Sequence, residues 1–254
     1  MSQPDHAPEA AAPRPRVLAF GAVYNEAHRV GPVLARCDEL LAGGVFDEVL
    51  IVDDGSTDDT PALIAAHPRI KCVRHETNRG ASAAIRTGYA HAIDGNFDVL
   101  TLFAMNGKDD PADARTVLAP ILAGSADYVQ GSRFLPGGSS EHLPPHRRMS
   151  IHAFTLAFSA LANHRFSDCT NGFRAYRTSL LRDPRLDWNQ SWIGDRYELE
   201  YYMHFQAAFL GYRVAEVPVS KNYPNDNQPY SKIRPADWLR MLRPMVYLRL
   251  GMRR

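Results

Sequence analysis

The chain has 254 residues, 45% of them apolar and 22% charged, with a formal net charge of +1. That length fits one α/β domain or two small ones with a sizeable core, and the near-zero charge argues against a nucleic-acid partner. Cys37, Cys72 and Cys169 lie far apart without a CxxC pair, which argues against a disulfide or zinc scaffold and favours a reducing, cytoplasmic setting. Residues 1–15 lack an apolar segment and are expected to form a disordered tail. No run reaches about 18 apolar residues, so no spanning helix is expected. The run RVLAFGAVY (16–24) reads as a first buried strand. Residues 28–42 follow with helical spacing of Val30, Val33, Leu34, Cys37, Leu40 and Leu41, and Gly43 and Gly44 stop them. DEVLIVDDGSTDDT (47–60) is a second strand running into acids, glycine and serine, with a helix from Pro61. A third strand (71–76), a glycine-entered helix (78–93), a fourth strand (97–103) and a fifth (126–133) complete the first half.

These strands are runs of Val, Ile and Leu, and helices alternate with them. That pattern predicts a mostly parallel sheet covered on both faces. Ligands in such sheets bind outside the carboxyl ends of the strands. The polar clusters VYNE, VDDGSTD, NRGAS, MNGKDD and QGSR all fall at those ends. In the second of them, Asp53 and Asp54 follow a strand, where carboxylates accept hydrogen bonds from a nucleobase edge or ribose hydroxyls. The competing reading is a capped helix start at Ser56, Thr57 or Asp58. Beyond Gly131 come a Gly/Pro/Ser loop with a basic patch (135–148), an apolar helix (149–164) and a turn into a short strand (167–177). A helix (197–213), a last strand (214–219) and a basic, apolar-rich C-terminal helix (235–254) follow.

VYNE (23–26), VDDGSTDDT (52–60), NRGASAAIRTGY (78–89), the Asp-Pro pair (110–111), GSRF (131–134), HRR (146–148) and TNGFRAY (170–176) occur in a familiar order. Together they resemble the family 2 glycosyltransferases, and most the dolichyl- or polyprenyl-phosphate sugar synthase branch, over roughly residues 17 to 220. The resemblance implies a GT-A fold across 16–220, with an acceptor loop and basic amphipathic helix in 221–254. It implies inverting transfer of a sugar from a nucleoside diphosphate donor, UDP- or GDP-linked, to a phosphate-bearing acceptor such as polyprenyl phosphate. By motif match, Val23, Tyr24, Glu26, Asp53 and Asp54 would line the nucleoside pocket, with Arg79, Gly80 and Arg86 beside it.

That family carries an Asp-x-Asp motif after the fourth strand, often with a later ligand, and it holds Mg²⁺ or Mn²⁺ against the donor diphosphate. Aligned through the Asp-Pro pair, its positions fall here on Ala104, Asn106 and Lys108. Alanine cannot ligate, a neutral amide is a weak ligand for a hard cation, and lysine repels one. Three readings compete. Lys108 replaces the metal, with Asn106 binding diphosphate or a sugar hydroxyl; or Asp109 and Asp110 hold a metal instead; or the site is inactive. The metal's task is to neutralise charge growing on the leaving diphosphate, and an ammonium carries a permanent charge and three donors.

Arg133, Arg147, Arg148 and Arg174 form a basic cluster whose guanidinium groups suit phosphate oxygens. In the resembled branch the arginines of GSR and HRR meet the acceptor phosphate, and Asn171 and Lys232 (of the Ser231-Lys232 pair) would join them. A phosphate acceptor needs no base, whereas a hydroxyl acceptor does, and Asp168, Glu198 and Glu200 are the candidates. On a helix Glu198 and Glu200 would point about 200° apart. His142, His146 and His152 with Glu141 match no metal-ligand spacing. The C-terminal helix has three readings: peripheral contact at the inner membrane face, packing on its own domain, or packing on a twin subunit in a homodimer. Two rival functions stand beside the main one. A sugar nucleotidyltransferase would open with a Gly-rich loop where this chain has VYNEAHR. A non-catalytic nucleotide-sugar-binding or membrane scaffold relative would account for the altered Asp-x-Asp positions.

Overall fold

The computed structural model describes residues 14–223 and 235–253. Seven strands form one mixed sheet: β1 (Val17–Val23), β2 (Glu48–Asp53), β3 (Lys71–Arg74), β4 (Val99–Leu102), β5 (Tyr128–Ser132), β7 (Arg174–Arg177) and β8 (Val214–Pro218). Their order across the sheet is β3-β2-β1-β4-β7-β5-β8. All neighbours are parallel except β7, which runs antiparallel to both β4 and β5. A small second sheet pairs β6 (Ser139–Glu141) with β9 (Ser220–Asn222).

Each central strand is apolar on both sides, as burial on two faces demands. In β1, Leu18 and Phe20 join one core with α3 (Ala81–Asp94), α5 (Pro145–Ala162), α6 (Glu198–Phe209) and α7 (Pro235–Arg249). Val17 and Ala19 join the other with α1 (Ala27–Ala42), α2 (Thr60–Ala65) and α4 (Ala114–Leu122). The strand order reverses between β1 and β4, so a crevice opens beyond their carboxyl ends.

Two expectations are corrected, and one of the open readings of the C-terminal helix is selected. The stretch 135–148 is not one loop: it holds β6, and α5 already starts at Pro145, a residue pre-set for the first helical turn. Arg147 and Arg148 therefore sit on a helix start. Second, position 220 is no boundary, because β9 runs across it and α7 belongs to the main core. Met241, Met245 and Leu248 of α7 are buried against α5 and α6, and Asp237 anchors the helix to Arg196 at 3.0 Å. The C-terminal helix thus packs on its own domain, while Leu239, Leu250 and Met252 stay exposed. Among the described residues no helix is long and apolar enough to cross a membrane.

Candidate active site

The crevice between β1 and β4 contains a cavity of about 420 Å³. Val23, Tyr24 and Glu26 wall it from the end of β1, Asp54 from β2, Gly80 from the start of α3, and Ala104 and Asn106 from the segment after β4. Arg196 and Tyr197 close it from the turn before α6. Asp53 is fully buried and does not line it: Oδ1 accepts from the Ser56 amide at 2.9 Å and Oδ2 faces Arg74 at 3.3 Å. Asp53 shapes the Asp-Asp-Gly-Ser turn.

Asp54 has a second structural duty. Its carboxylate accepts from the amides of Arg79 (3.0 Å) and Gly80 (2.8 Å) and is paired with His75. This fixes the Asn-Arg-Gly loop across the pocket. Gly80 has φ +93°, and a Cβ there would collide with the backbone carbonyl of Asp195. Gly80→Ala is expected to cost about 1–3 kcal/mol of strain and to distort this wall, read as a lowered Tm together with lost nucleotide affinity. Arg79 and Arg86 line a separate depression next to the cavity, with Trp188, Asn189 and Asp195. There Arg86 is tied to the Trp188 carbonyl and to Asp195.

The segment after β4 turns through Gly107 at φ +72°. Asn106 accepts from the Lys108 amide at 3.4 Å. Lys108 is half-buried, and burial, reinforced by the nearby Lys221, pushes its ammonium down to about 7. Asp109 and Asp110 part company. Asp109 points inward, accepting from the Ala104 amide (2.9 Å) and pairing with Lys221 at 2.5 Å. Asp110 points outward, capping Ala112 and facing Arg36 at 3.7 Å. The proposed Asp109–Asp110 metal pair is therefore corrected: the two carboxylates neither converge nor are spare. Ala104 offers no ligand, and Lys108 in its protonated form repels a cation, so the residues at these positions do not fit a divalent cation. Among the described residues no group of three His, Cys, Asp or Glu could hold one.

The acceptor-side residues divide in two. Arg133 and Asp168 are buried together, with Nε to Oδ2 at 2.6 Å and Nη2 to Oδ1 at 2.7 Å, and Arg133 also donates to Tyr223 and Thr170. Burial alone would raise the Asp168 carboxyl; the charge and hydrogen bonds of Arg133 turn the shift downward. Asp168 thus serves as the counter-ion of Arg133, whose guanidinium is held by Asp168, Tyr223 and Thr170. Arg174 is likewise buried, donating to Gln130 and to the Glu200 carbonyl, with the Glu200 carboxylate at 3.4 Å. Burial raises the Glu200 carboxyl, while Arg174 pulls it the other way. Glu198 accepts from the amides of Arg196 and Tyr197 and so fixes the turn that leads into its helix.

Of the other acceptor-side residues, Arg147 and Asn171 lie on the Lys108 side. Arg147, at the start of α5, lies within electrostatic reach of that lysine. Arg148 turns away to Ser140 and the Phe134 ring. Asn171 is fully buried and accepts from Lys221 at 3.2 Å. Lys232 lies outside the described residues. Lys221 escaped the sequence reading, because a lysine after VAEVPVS reads as a strand end. Its signal is a lone cation directly after an apolar strand, at the same sheet edge as the other clusters.

The family model described as "Glycosyl transferase family 2" matches residues 22–183. The undecaprenyl-phosphate mannosyltransferase of Micrococcus luteus is 31% identical over 209 residues, 81% of this chain and 83% of that one. The polyprenol monophosphomannose synthase of Mycolicibacterium smegmatis is 29% identical over 223 residues, 84% of this chain and 80% of that one. Among solved structures, glucosyl-3-phosphoglycerate synthase from Mycobacterium tuberculosis, in complex with Mn²⁺, UDP and phosphoglyceric acid, aligns with a TM-score of 0.67 at 20% identity. The alignment covers 93% of this chain and 79% of that one.

Proposed function

The chain belongs to glycosyl transferase family 2, and from that premise we propose that it moves a sugar from a nucleoside diphosphate, with inversion, to a polyprenyl phosphate, using lysine where relatives place a metal. The observation that carries this reading is the cavity of about 420 Å³, walled by Tyr24, Glu26 and Asp54, with Asn106 at one side and Lys108 just beyond it. Its volume suits a small-molecule site. The nucleoside would lie against the β1 and β2 ends and the diphosphate toward Asn106 and Lys108. As the acceptor oxygen forms its bond to the anomeric carbon, the bond to the diphosphate breaks and negative charge grows on the leaving group. A cation fixed beside it favours that state over the ground state. A phosphate acceptor is already ionised, so no base is required. For a hydroxyl acceptor, Glu200 is the carboxylate that its raised affinity for a proton favours.

A lipid-borne acceptor is supported by α5. Beside Arg147 and Arg148, an apolar hollow of about 790 Å³ is lined by Leu143, Pro145, Met149, His152 and Leu156. Met149 and Leu156 are 71% and 73% exposed, a cost in water that an isoprenoid chain would remove. The names of the two relatives, an undecaprenyl-phosphate mannosyltransferase and a polyprenol monophosphomannose synthase, agree with that acceptor class.

The test is calorimetric titration with UDP and GDP in EDTA, then with Mn²⁺ or Mg²⁺, followed by turnover with the matching nucleotide sugar and a prenyl phosphate. One nucleotide is expected to bind in EDTA, unimproved by metal, and its sugar to be transferred. Binding that requires metal removes the lysine substitution. No turnover with any prenyl phosphate removes the acceptor.

A further inference from the structure

Lys221 is 7% exposed and lies where two segments meet. One is the Asn-Gly-Lys-Asp turn after β4, to which Asp109 and Lys221 are joined by a β-bridge. The other is the turn before β7, which carries Asn171. The ammonium donates to Asp109 Oδ1 at 2.5 Å and to Asn171 Oδ1 at 3.2 Å. A lysine has three N–H groups, and among the described residues nothing takes the third. The Asn171 Nδ2 and the Arg174 Nη2, both buried, also have no partner among the described residues. All three belong to one hydrogen-bonded cluster, since Gln130 links the Asn171 carbonyl to Arg174.

A buried Lys–Asp pair serving only the fold would be a weak device. Apolar replacements of such pairs are often neutral or stabilising, and unsatisfied buried donors each carry a cost. Here there is a further one: Lys221 stands close enough to Lys108 to weaken that group's hold on its proton, and Arg147 does the same. Three cations close together, with the remaining N–H of Lys221 and the Asn171 Nδ2 among them, suit an anion.

We propose that Lys221 is a second substrate-binding cation, whose remaining N–H, with the Asn171 amide and the Lys108 ammonium, takes a phosphate oxygen of a bound substrate. This rests on the glycosyltransferase reading above. The phosphate has two sources, the donor diphosphate or the acceptor phosphate. Lys221 sits between the two loops and is held in register by Asp109, so its position is fixed before either arrives.

The test uses the full chain, in EDTA, with pyrophosphate and farnesyl phosphate as probes. Asp109→Asn/Lys221→Met removes one charge of each sign and strands neither partner. Asn171→Asp is isosteric, keeps the contacts to Phe173 and Lys221, and sets a negative charge against the anion. Circular dichroism and Tm establish which variant folds, and a folded one is required to answer. A tenfold or greater loss of pyrophosphate affinity, with the farnesyl phosphate KM unchanged, assigns Lys221 to the donor diphosphate. A tenfold rise in the farnesyl phosphate KM, with pyrophosphate affinity unchanged, assigns it to the acceptor. Both values within twofold of the native chain in a folded variant overturn the proposal. The native chain supplies the separate control: absence of sugar-nucleotide turnover overturns the functional reading, while variant-sensitive binding of either probe would leave the Lys221 site standing.

Discussion

Replacing Lys108 with methionine is expected to lower kcat by about a hundred- to a thousandfold while leaving the fold and most nucleotide affinity in place. The stem is preserved, so packing changes little. What disappears is the charge that balances the departing diphosphate, an interaction that grows only as the reaction proceeds. Mn²⁺ added to the variant restores nothing, because Ala104 and Asn106 offer no carboxylates and Asp109 is held by Lys221 and the Ala104 amide. The native chain should also show a pH signature. Burial and the neighbouring Lys221 lower the Lys108 ammonium to about 7 in the free protein. Since kcat/KM reports the free enzyme, it should fall as pH rises through about 7, while saturation with an anionic donor shifts that limb of kcat upward. The methionine variant should lack this limb. Steady-state rates across pH 6 to 9 check both claims, and full activity of Lys108→Met in EDTA would sink the lysine mechanism.

Asp168→Ala should act on stability. Arg133 would keep its charge, 4% exposed, with its principal counter-ion gone. Breaking a buried pair from one side costs about 3–5 kcal/mol, a large share of the stability of a typical domain. Chemical denaturation should show that loss. The sign of the pH dependence follows from the lowered Asp168 carboxyl. Its contribution is complete above the ordinary value of 3.8 and fades as pH falls through the lower folded value. A variant as stable as the native chain, with turnover abolished, would return Asp168 to the catalytic list.

The parallel sheet was legible because its strands are unbroken apolar runs such as VLAF and VLIV, and because each ends in a polar cluster. Tyr24, Glu26 and Asp54 reached the cavity wall for the same reason: they follow strands, and position along the chain decides their edge. Asp53 did not, although its motif is equally plain. Which of two adjacent carboxylates faces a ligand depends on the turn made at Gly55, whose φ of +75° no composition encodes. The arginines were harder. Arg133 and Arg174 look like phosphate ligands in one dimension, and only the three-dimensional neighbours Asp168 and Gln130 show how much of each guanidinium is engaged inside the fold. The α5 start was misplaced by four residues, because the two prolines at 144 and 145 read as loop when the second opens the helix.

The antiparallel β7 between β4 and β5 has a consequence for how the chain assembles. Val99 pairs with Arg177, and Tyr128 with Val214, so the second half of the sheet joins residues far apart in sequence. Each such pairing closes a long loop before contacts repay its entropy, which slows the search. The pairings of β1 with β2 and of β2 with β3 span shorter connections. During synthesis the β1–β3 half, with Tyr24, Glu26 and Asp54, emerges well before β8. Lys221 follows β8, so the buried cation is among the last charges delivered, and until then Asp109 stands without its partner.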